Sequence, residues 1–189
     1  MAKLLYILPT ILLLVPITVY AQEYLTYDNT FLGFSMQYPA GLQLIDQTKN
    51  SELDILHGPI AIILPVETGE REASMLMFVE DLLDRNMTIK EYTREQLNDD
   101  YRIFDISNYQ EVNNNQTVID NKPAWQIENT IDTLNITAKE KSKRQSLSVY
   151  VIANDKAYDI GYSADQGEQY AKYLPEVQRL INSIKFTEP

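Results

Sequence analysis

The feature that most constrains the fold is a series of short apolar segments that come in pairs around tight turns, such as Gln145–Ala153 and Lys156–Ser163 around Asn154-Asp155. Antiparallel strands can be joined by such turns, whereas parallel strands need a long crossover. The predicted strands are Tyr24–Tyr27, Phe31–Tyr38, Ile60–Leu64, Ala73–Val79, Phe104–Val112, Thr117–Ile119, Ala124–Asp132, Gln145–Ala153 and Lys156–Ser163. This pattern favours a sheet that is antiparallel throughout.

Two segments are predicted to form helices. Thr88-Ile89-Lys90-Glu91 is a capping box, in which the threonine hydroxyl and the glutamate carboxylate each accept from the other residue's amide. A helix is expected to continue to about Asp100. A second helix is predicted from Glu168, because apolar residues recur there at helical spacing, and Pro175 should restart or bend it. Since helices do not follow every strand, the fold class is α+β, with helices covering an antiparallel sheet.

The N-terminus has the composition of an export signal. Residues 4–19 are almost wholly apolar, Lys3 precedes them, and Val19-Tyr20-Ala21 presents the small residues that a signal peptidase recognises. A signal peptide over residues 1–21, cleaved after Ala21, is therefore predicted. The alternative is a retained membrane anchor, although the run is shorter than the roughly 20 residues that a bilayer core needs. Residues 22–189 contain no linker or repeat, and are predicted to form a single secreted or extracytoplasmic domain.

Composition excludes several classes of function. The chain has 16 Lys plus Arg against 27 Asp plus Glu, a formal net charge of −11. Such a surface repels phosphate, so no nucleic-acid partner is expected, and membrane contact is expected only through an uncleaved N-terminal segment. With no cysteine and one histidine, disulfides, thiolate metal sites and cysteine nucleophiles are absent from the sequence. No cofactor is predicted, with calcium as the one open candidate.

Four motifs together resemble the PsbP family. They are Phe31-x-Gly33-Phe34-Ser35-x-x-Tyr38-Pro39, Asn121-Lys122-Pro123-Ala124-Trp125, Lys156-Ala157-Tyr158-Asp159-Ile160-x-Tyr162, and Tyr173-Leu174-x-x-Val177-x-x-x-Ile181-x-Ser183-Ile184-x-Phe186. The resemblance implies an antiparallel sheet sandwiched by helices, as in the PsbP-like α/β/α sandwich. It also implies a non-enzymatic exported protein that docks on a membrane or envelope complex, or aids its assembly, through a protein partner.

The resemblance is to PsbP-related proteins found outside photosynthesis, including in archaea. Photosynthetic members use a basic N-terminal extension to bind their complex, whereas the expected mature start here, Gln22-Glu23-Tyr24, has no basic residue. The oxygen-evolving role is therefore not implied for this chain.

The densest acidic groups are the candidates for metal binding. Glu80, Asp81 and Asp84 form one group, and Asp99 and Asp100, next to Asn98, form the other. Calcium needs six to eight converging oxygens, and neither group has the spacing of an EF-hand loop. Solvated acidic loops are the alternative interpretation. A pair of carboxylates facing each other across a cleft would instead indicate the alternative function, a small secreted hydrolase.

The remaining candidates are surface features. The basic cluster Lys139, Lys141, Lys143 and Arg144, between two predicted strands, is a candidate docking patch or simply a solvated hairpin tip. Asn86, Asn115 and Asn135 lie in N-glycosylation sequons, which makes a glycoprotein a further expectation in a host that glycosylates. His57 has Asp54 three residues upstream, but no nucleophile motif accompanies it, so no catalytic residue is predicted. Most tyrosines are expected in the core, with an exposed cluster proposed around Tyr24, Tyr27 and Tyr38.

Overall fold

A computed structural model describes residues 23–48, 57–65, 72–103, 109–135 and 140–187. The predicted signal peptide, residues 1–21, lies outside these ranges. Along the chain the elements are β1 (Tyr24–Asn29), β2 (Phe34–Pro39), β3 (Gln43–Asp46), β4 (His57–Leu64), β5 (Ala73–Asp81), α1 (Ile89–Ile103), β6 (Tyr109–Ile119), β7 (Lys122–Asn135), β8 (Glu140–Ala153), β9 (Lys156–Asp165), α2 (Glu168–Asn182) and β10 (Lys185–Phe186).

The strands form two antiparallel sheets. The larger sheet has the order β3-β4-β5-β9-β8-β7-β6, and the smaller has the order β1-β2-β10. Two-residue turns join β6 to β7 at Asp120-Asn121 and β8 to β9 at Asn154-Asp155, and all four residues have φ between 47° and 62°. Asn and Asp tolerate this left-handed conformation, which matches the right-handed twist of the flanking strands. These short turns place the two hairpins side by side in one sheet.

The two faces of the large sheet are covered differently. Side chains alternate along β9, so that Tyr158, Ile160 and Tyr162 lie on one face and Ala157 and Asp159 on the other. We call the first the core face, because α2 and the small sheet pack on it. We call the second the open face, because α1 is the main element among the described residues that packs on it, over β7 and β8. The chain is thus a three-layer α+β fold, as the sequence predicted.

Buried tyrosines fix the layers on the core face. The Tyr158 hydroxyl donates to the Leu32 carbonyl at 2.8 Å, and its ring meets that of Phe34 edge-on at 6.0 Å. The Tyr162 hydroxyl donates to the Tyr170 carbonyl of α2 at 3.0 Å. Burial raises the pKa of Tyr158 to about 12, so this group stays protonated and remains a donor at neutral pH.

The helices follow the predictions closely. At the start of α1 the Thr88 amide donates to Glu91 Oε2 at 2.9 Å, and the Glu91 amide donates to Thr88 Oγ1 at 3.3 Å. The predicted capping box is therefore confirmed. The second helix starts at Glu168 as expected and continues through Pro175 to Asn182 without restarting. Its buried residues include Val177, Leu180 and Ile181, which pack on the core face.

Several of the predicted strand boundaries were wrong, including the start of β2, which lies at Phe34 rather than Phe31. The segments ending at Val112 and starting at Thr117 are parts of one strand, β6, because the polar residues between them also pair with β7. Strand β8 begins at Glu140 rather than Gln145, and the first turn lies after Asn29 rather than Tyr27. The short strands β3 and β10 were not predicted. The part of the first segment from residue 104 to residue 108 lies outside the described residues.

Candidate functional site

Several loops converge at one end of the sandwich, which we call the turn end (residues 30–33, 82–87 and 154–156). The Leu82 amide donates to the Asp155 carbonyl at 2.9 Å, which ties the loop before α1 to the β8–β9 turn. Asn154 Nδ2 donates to the Thr187 carbonyl at 3.0 Å, and the Thr187 amide donates to the Gly33 carbonyl at 2.9 Å. Backbone and side-chain bonds therefore hold the turn end in one arrangement.

Two large apolar side chains project from the turn end into solvent. Phe31 is 65% exposed and Leu83 is fully exposed. The Lys156 ammonium lies 5.9 Å from the centre of the Phe31 ring, and Leu83 directly follows the anchored Leu82. Single exposed apolar residues are common, but two large ones on an anchored end form a surface that a protein partner can bury.

The backbone under Phe31 is held in a conformation that needs glycine. Gly33 has a φ of +75°, and a Cβ placed there would lie 3.1 Å from the Thr187 carbonyl oxygen. A larger residue would be strained both by the left-handed conformation and by this close approach. The turn that presents Phe31 is thus positioned before any partner arrives.

Charges at the turn end are paired rather than uniformly acidic. Arg85 Nη1 lies 3.2 Å from Asp155 Oδ2, and Lys156 Nζ contacts Asp81 Oδ1. The Arg85–Asp155 pair is exposed on both sides, and such pairs contribute about 0–1 kcal/mol to stability. These pairs also balance positive and negative charge at the turn end, whereas the chain as a whole has a formal net charge of −11. A surface that is locally neutral and partly apolar suits contact with protein.

The predicted metal residues do not converge in the described part of the chain. Glu80 Oε1 accepts from Gln96 Nε2 at 3.5 Å, Asp81 contacts Lys156, and Asp84 Oδ1 accepts from the Asn86 amide at 2.9 Å. Among the described side chains there is no group of three or more Asp, Glu or His that could hold a metal ion. Asp99 and Asp100 belong to the last turns of α1, but their side chains lie outside the described residues. Calcium binding stays a prediction.

One pair of carboxylates shares a small cavity on the open face. Glu80 on β5 and Asp159 on β9 are diagonal neighbours, because Asp159 pairs with Phe78 and Glu80 pairs with Ala157. They line a cavity of about 100 Å³ together with Phe78, Tyr92 and Gln96. Burial, followed by hydrogen bonding to Glu80, strongly raises the pKa of Tyr92, which stays protonated. Ligand pockets usually span about 300–1,000 Å³, so this cavity does not favour the hydrolase alternative.

The structure separates the residues of the basic cluster. Lys141, Lys143 and Arg144 belong to strand β8, so the alternation of the strand places Lys143 and Arg144 on opposite faces. Lys143 Nζ lies 3.6 Å from Asp132 Oδ1, and Arg144 Nε donates to Ser163 Oγ at 3.0 Å. Lys139 and the side chain of Lys141 lie outside the described residues. Docking through this cluster stays a prediction.

The proposed cluster of tyrosines is half-buried and has structural contacts. The Tyr24 hydroxyl donates to Glu176 Oε1 at 3.0 Å, and the Tyr27 hydroxyl donates to Asp46 Oδ2 at 2.8 Å. Tyr38 packs partly against the main core. These contacts join the small sheet to its neighbours, so the expectation of an exposed cluster was wrong.

The sequons fall at three different kinds of position. Asn86 lies in the exposed loop before α1, Asn115 is exposed in the middle of β6, and Asn135 is the last residue of β7. Glycosylation at these residues stays a prediction. His57 begins β4, and its side chain lies outside the described residues.

Sequence reasoning did not identify Phe31 and Leu83 as the exposed large apolar residues described at the turn end. Phe31 was assigned to a strand, where its partners would have buried it. Leu83 follows Leu82 in a segment between Asp81 and Asp84, and only Leu82 packs against a buried cluster. The two leucines between acidic residues indicate an apolar contact in this loop, but the sequence does not show which leucine is exposed.

Comparisons with known proteins show what this fold is similar to. The sequence matches no protein-family model, and no curated protein matches it significantly. Among solved structures, cyanobacterial PsbP (CyanoP) from Synechocystis aligns with a TM-score of 0.57 at 13% identity, covering 89% of this chain and 95% of that chain. The yeast Ran-binding protein Mog1p aligns with a TM-score of 0.55 at 9% identity, covering 89% and 97%.

A third similar structure is that of LpqN from Mycobacterium tuberculosis, described as involved in cell envelope biogenesis. It aligns with a TM-score of 0.52 at 12% identity, covering 82% of this chain and 83% of that chain. At these identities the likeness shows the fold, which is PsbP/Mog1-like. Within the described residues, none of the helices has both the length and the apolar character needed to cross a bilayer.

Proposed function

We propose that this PsbP/Mog1-like chain is an exported, non-enzymatic module that docks a protein partner of a membrane or envelope complex through its turn end. The observation that carries the proposal is the exposure of Phe31 and Leu83 on an anchored, charge-balanced surface. Membership of the PsbP family, which the motifs suggest, is part of the same proposal.

The cavities of the described residues support binding rather than catalysis. Four of these cavities have volumes between about 100 and 290 Å³. Each is small for a substrate site, since ligand pockets usually bury most of a molecule in about 300–1,000 Å³. A partner protein needs no such depth, because it binds through area and a few well-packed side chains.

The names of similar proteins point in the same direction. One is a Ran-binding protein, one is a cyanobacterial PsbP, and one is involved in cell envelope biogenesis. Because the shared identity is low, these names support a binding role without indicating which partner this chain has. The predicted export segment adds that the partner lies outside the cytoplasm.

Burial of the two exposed side chains would supply substantial binding energy. Burying a leucine or phenylalanine contributes about 1.5–3 kcal/mol. Since about 1.4 kcal/mol corresponds to a tenfold change in Kd, each residue could strengthen binding by one to two orders of magnitude. A small number of such residues commonly dominates a protein interface.

The test is a crosslinking pull-down from the native cell envelope. The wild-type chain should capture a specific protein, and the double variant Phe31→Ser with Leu83→Ser should lose it. The matched control is Leu25→Ser with Val112→Ser, because these residues are 41% and 56% exposed but lie away from the turn end. Equal capture by both double variants, or no specific capture by the wild type, would contradict the proposal.

Export has its own measurement. N-terminal sequencing of material recovered outside the cytoplasm should begin at Gln22 or its cyclised form. An intact Met1 on that material would contradict cleavage and would favour the membrane-anchored alternative. This result is independent of whether the turn end binds a partner.

A further inference from the structure

The two edges of the large sheet differ in how they are protected. Strand β3 has only four residues, Gln43–Asp46, whereas β6 has eleven, Tyr109–Ile119. Within the described ranges no strand pairs with the outer side of β6. Proteins usually shield such edges with short strands, lysine, proline or bulges, because unpaired backbone groups attract another strand.

The protection of β6 covers only its beginning. A bulge lies between Glu111 and Asn113, and the pairing with β7 is regular from there to Ile119. This regular stretch contains no lysine, proline or glycine. In an antiparallel strand about half of the backbone N–H and C=O groups point away from the neighbouring strand. The stretch Asn113–Ile119 can therefore pair with a further strand.

Both faces of β6 are also uncovered. Most of its residues are exposed, including Val118 at 61%. On the open face, a cavity of about 290 Å³ is lined by Ile89, Val118 and Pro123. This hollow is mainly apolar and lies between the start of α1 and the β6–β7 hairpin.

The hollow on the core face has a different lining. Its volume is about 200 Å³, and its polar residues are Thr117 of β6, Gln126 of β7, and Gln178 and Asn182 of α2. An added strand would place successive side chains on opposite faces, alternately toward the apolar hollow and toward the amide-lined one.

We propose that β6 is a second docking site, which takes an extended segment of a partner protein as an added antiparallel or parallel strand. Backbone bonds to Asn113–Ile119 hold the segment, and the two hollows select alternating apolar and polar side chains. Glu111 is the one charged residue in the sequence of β6, while the chain as a whole carries −11. The segment is therefore non-acidic, because an acidic one would be repelled by the rest of the surface. This site is separate from the turn end.

The probe for this site is a phage-displayed library of random ten-residue peptides, selected on the purified wild-type protein. Enriched peptides should alternate apolar and polar residues and carry few acids. Synthetic versions should shift the backbone amide signals of Asn113–Ile119 in a proton–nitrogen NMR spectrum of the protein. No enrichment, or shifts confined to other strands, would overturn the proposal.

Two valines on the same strand supply matched variants. Val118 lines the apolar hollow, whereas Val112 lies at the bulge and is 56% exposed. Val118→Lys should weaken binding of the selected peptides tenfold or more, and Val112→Lys should change it less than twofold. Both variants should keep the wild-type melting temperature, since both side chains are mostly exposed. Equal effects on binding would overturn the assignment of the hollow.

Self-association is the competing outcome. If β6 instead pairs with a second copy of this chain, sedimentation should show a concentration-dependent dimer that Val118→Lys abolishes. That result would overturn the partner-segment proposal. The Phe31 and Leu83 variants leave β6 unchanged, so the pull-down tests the turn end alone. The peptide selection and the Val118 variant test β6 alone, and either proposal can therefore fail without the other.

Discussion

The two faces of the large sheet differ in what they contribute. The core face carries one continuous buried cluster that joins β4, β5, β8 and β9 to α2 and the small sheet. On the open face, Tyr92 of α1 forms a small buried cluster with Ile127, Tyr150 and Ala157 of the sheet. Elsewhere this face carries small, half-buried polar residues, among them Ser146, Ser148 and Ser163, which line a shallow cavity. Stability therefore comes mainly from one face, which leaves the other face and its edges available for contacts.

The largest expected effect is a difference between matched leucine substitutions on the two faces. Leu180 of α2 is fully buried on the core face, and Leu76 of β5 is partly exposed on the open face. Leu180→Ala should lower the free energy of unfolding by about 3 kcal/mol, because it removes buried surface and leaves a cavity. Leu76→Ala should lower it by less than about 1 kcal/mol.

Urea denaturation at neutral pH measures both values. Similar losses for the two variants would show that the open face is as tightly packed as the core face, which would remove the contrast. Unchanged slopes of the unfolding free energy with urea concentration would show that both variants unfold as the wild type does.

A smaller effect is expected from the cap of α1, the helix that covers the open face. Thr88→Ala removes the hydroxyl that accepts from the Glu91 amide, and loss of such a cap usually costs about 1 kcal/mol. Glu91→Gln is the control, because an amide can still accept from the Thr88 backbone. Circular dichroism during thermal melting should show the lower midpoint for Thr88→Ala. A change above about 3 kcal/mol would mean that α1 is coupled to the whole fold.

The smallest effect concerns the rim of the core face, where Asp120 ties the β6–β7 turn to β10. Its carboxylate accepts from Lys185 Nζ and from the Phe186 amide, each at 2.9 Å. The bond from Lys185, followed by that from Phe186, lowers the pKa of Asp120 below its ordinary value. A lowered pKa in the folded state means that this carboxylate stabilises the fold above its unfolded pKa, and that the contribution is lost as pH falls through the folded pKa.

Asp120→Asn should therefore lower stability slightly at neutral pH and make no difference in acid. The difference in unfolding free energy between wild type and variant should disappear as the pH falls below about 4, which is near the unfolded pKa of aspartate. Free energies of unfolding measured from pH 7 to pH 2 test this. A gap that stays constant over this range would show that the bonds to Asp120 do not depend on its charge.

The sequence predicted those parts of the fold in which local chemistry and burial agree. The Thr88–Glu91 box and the Asn154-Asp155 turn are local, so their residues indicate the structure directly. The central strands of the large sheet are buried on at least one face, so their sequences show apolar residues at alternate positions. Strand β6 was divided in two because both of its faces are exposed, and Asn113–Gln116 therefore have no apolar pattern.

The candidate sites were less predictable for a physical reason. Whether Phe31 is buried in a strand or presented on a turn depends on bonds to Thr187, which is distant in sequence. Glu80 and Asp81 are adjacent in the acidic group that the sequence offers as a metal candidate, and strand alternation sends their side chains to opposite faces. Whether a side chain is exposed, and whether distant side chains come together, depends on how the layers pack. The amino-acid composition alone does not predict either.

The sequon at Asn115 lies within the regular stretch of β6. An oligosaccharide attached there would add a bulky, hydrated branch to a strand that otherwise has room beside it. A host that glycosylates exported proteins would thus produce a chain with a sterically closed edge, and a host that does not would produce one with an accessible edge. The enzymes of the export route, rather than the amino-acid sequence alone, would then decide what this protein can recruit.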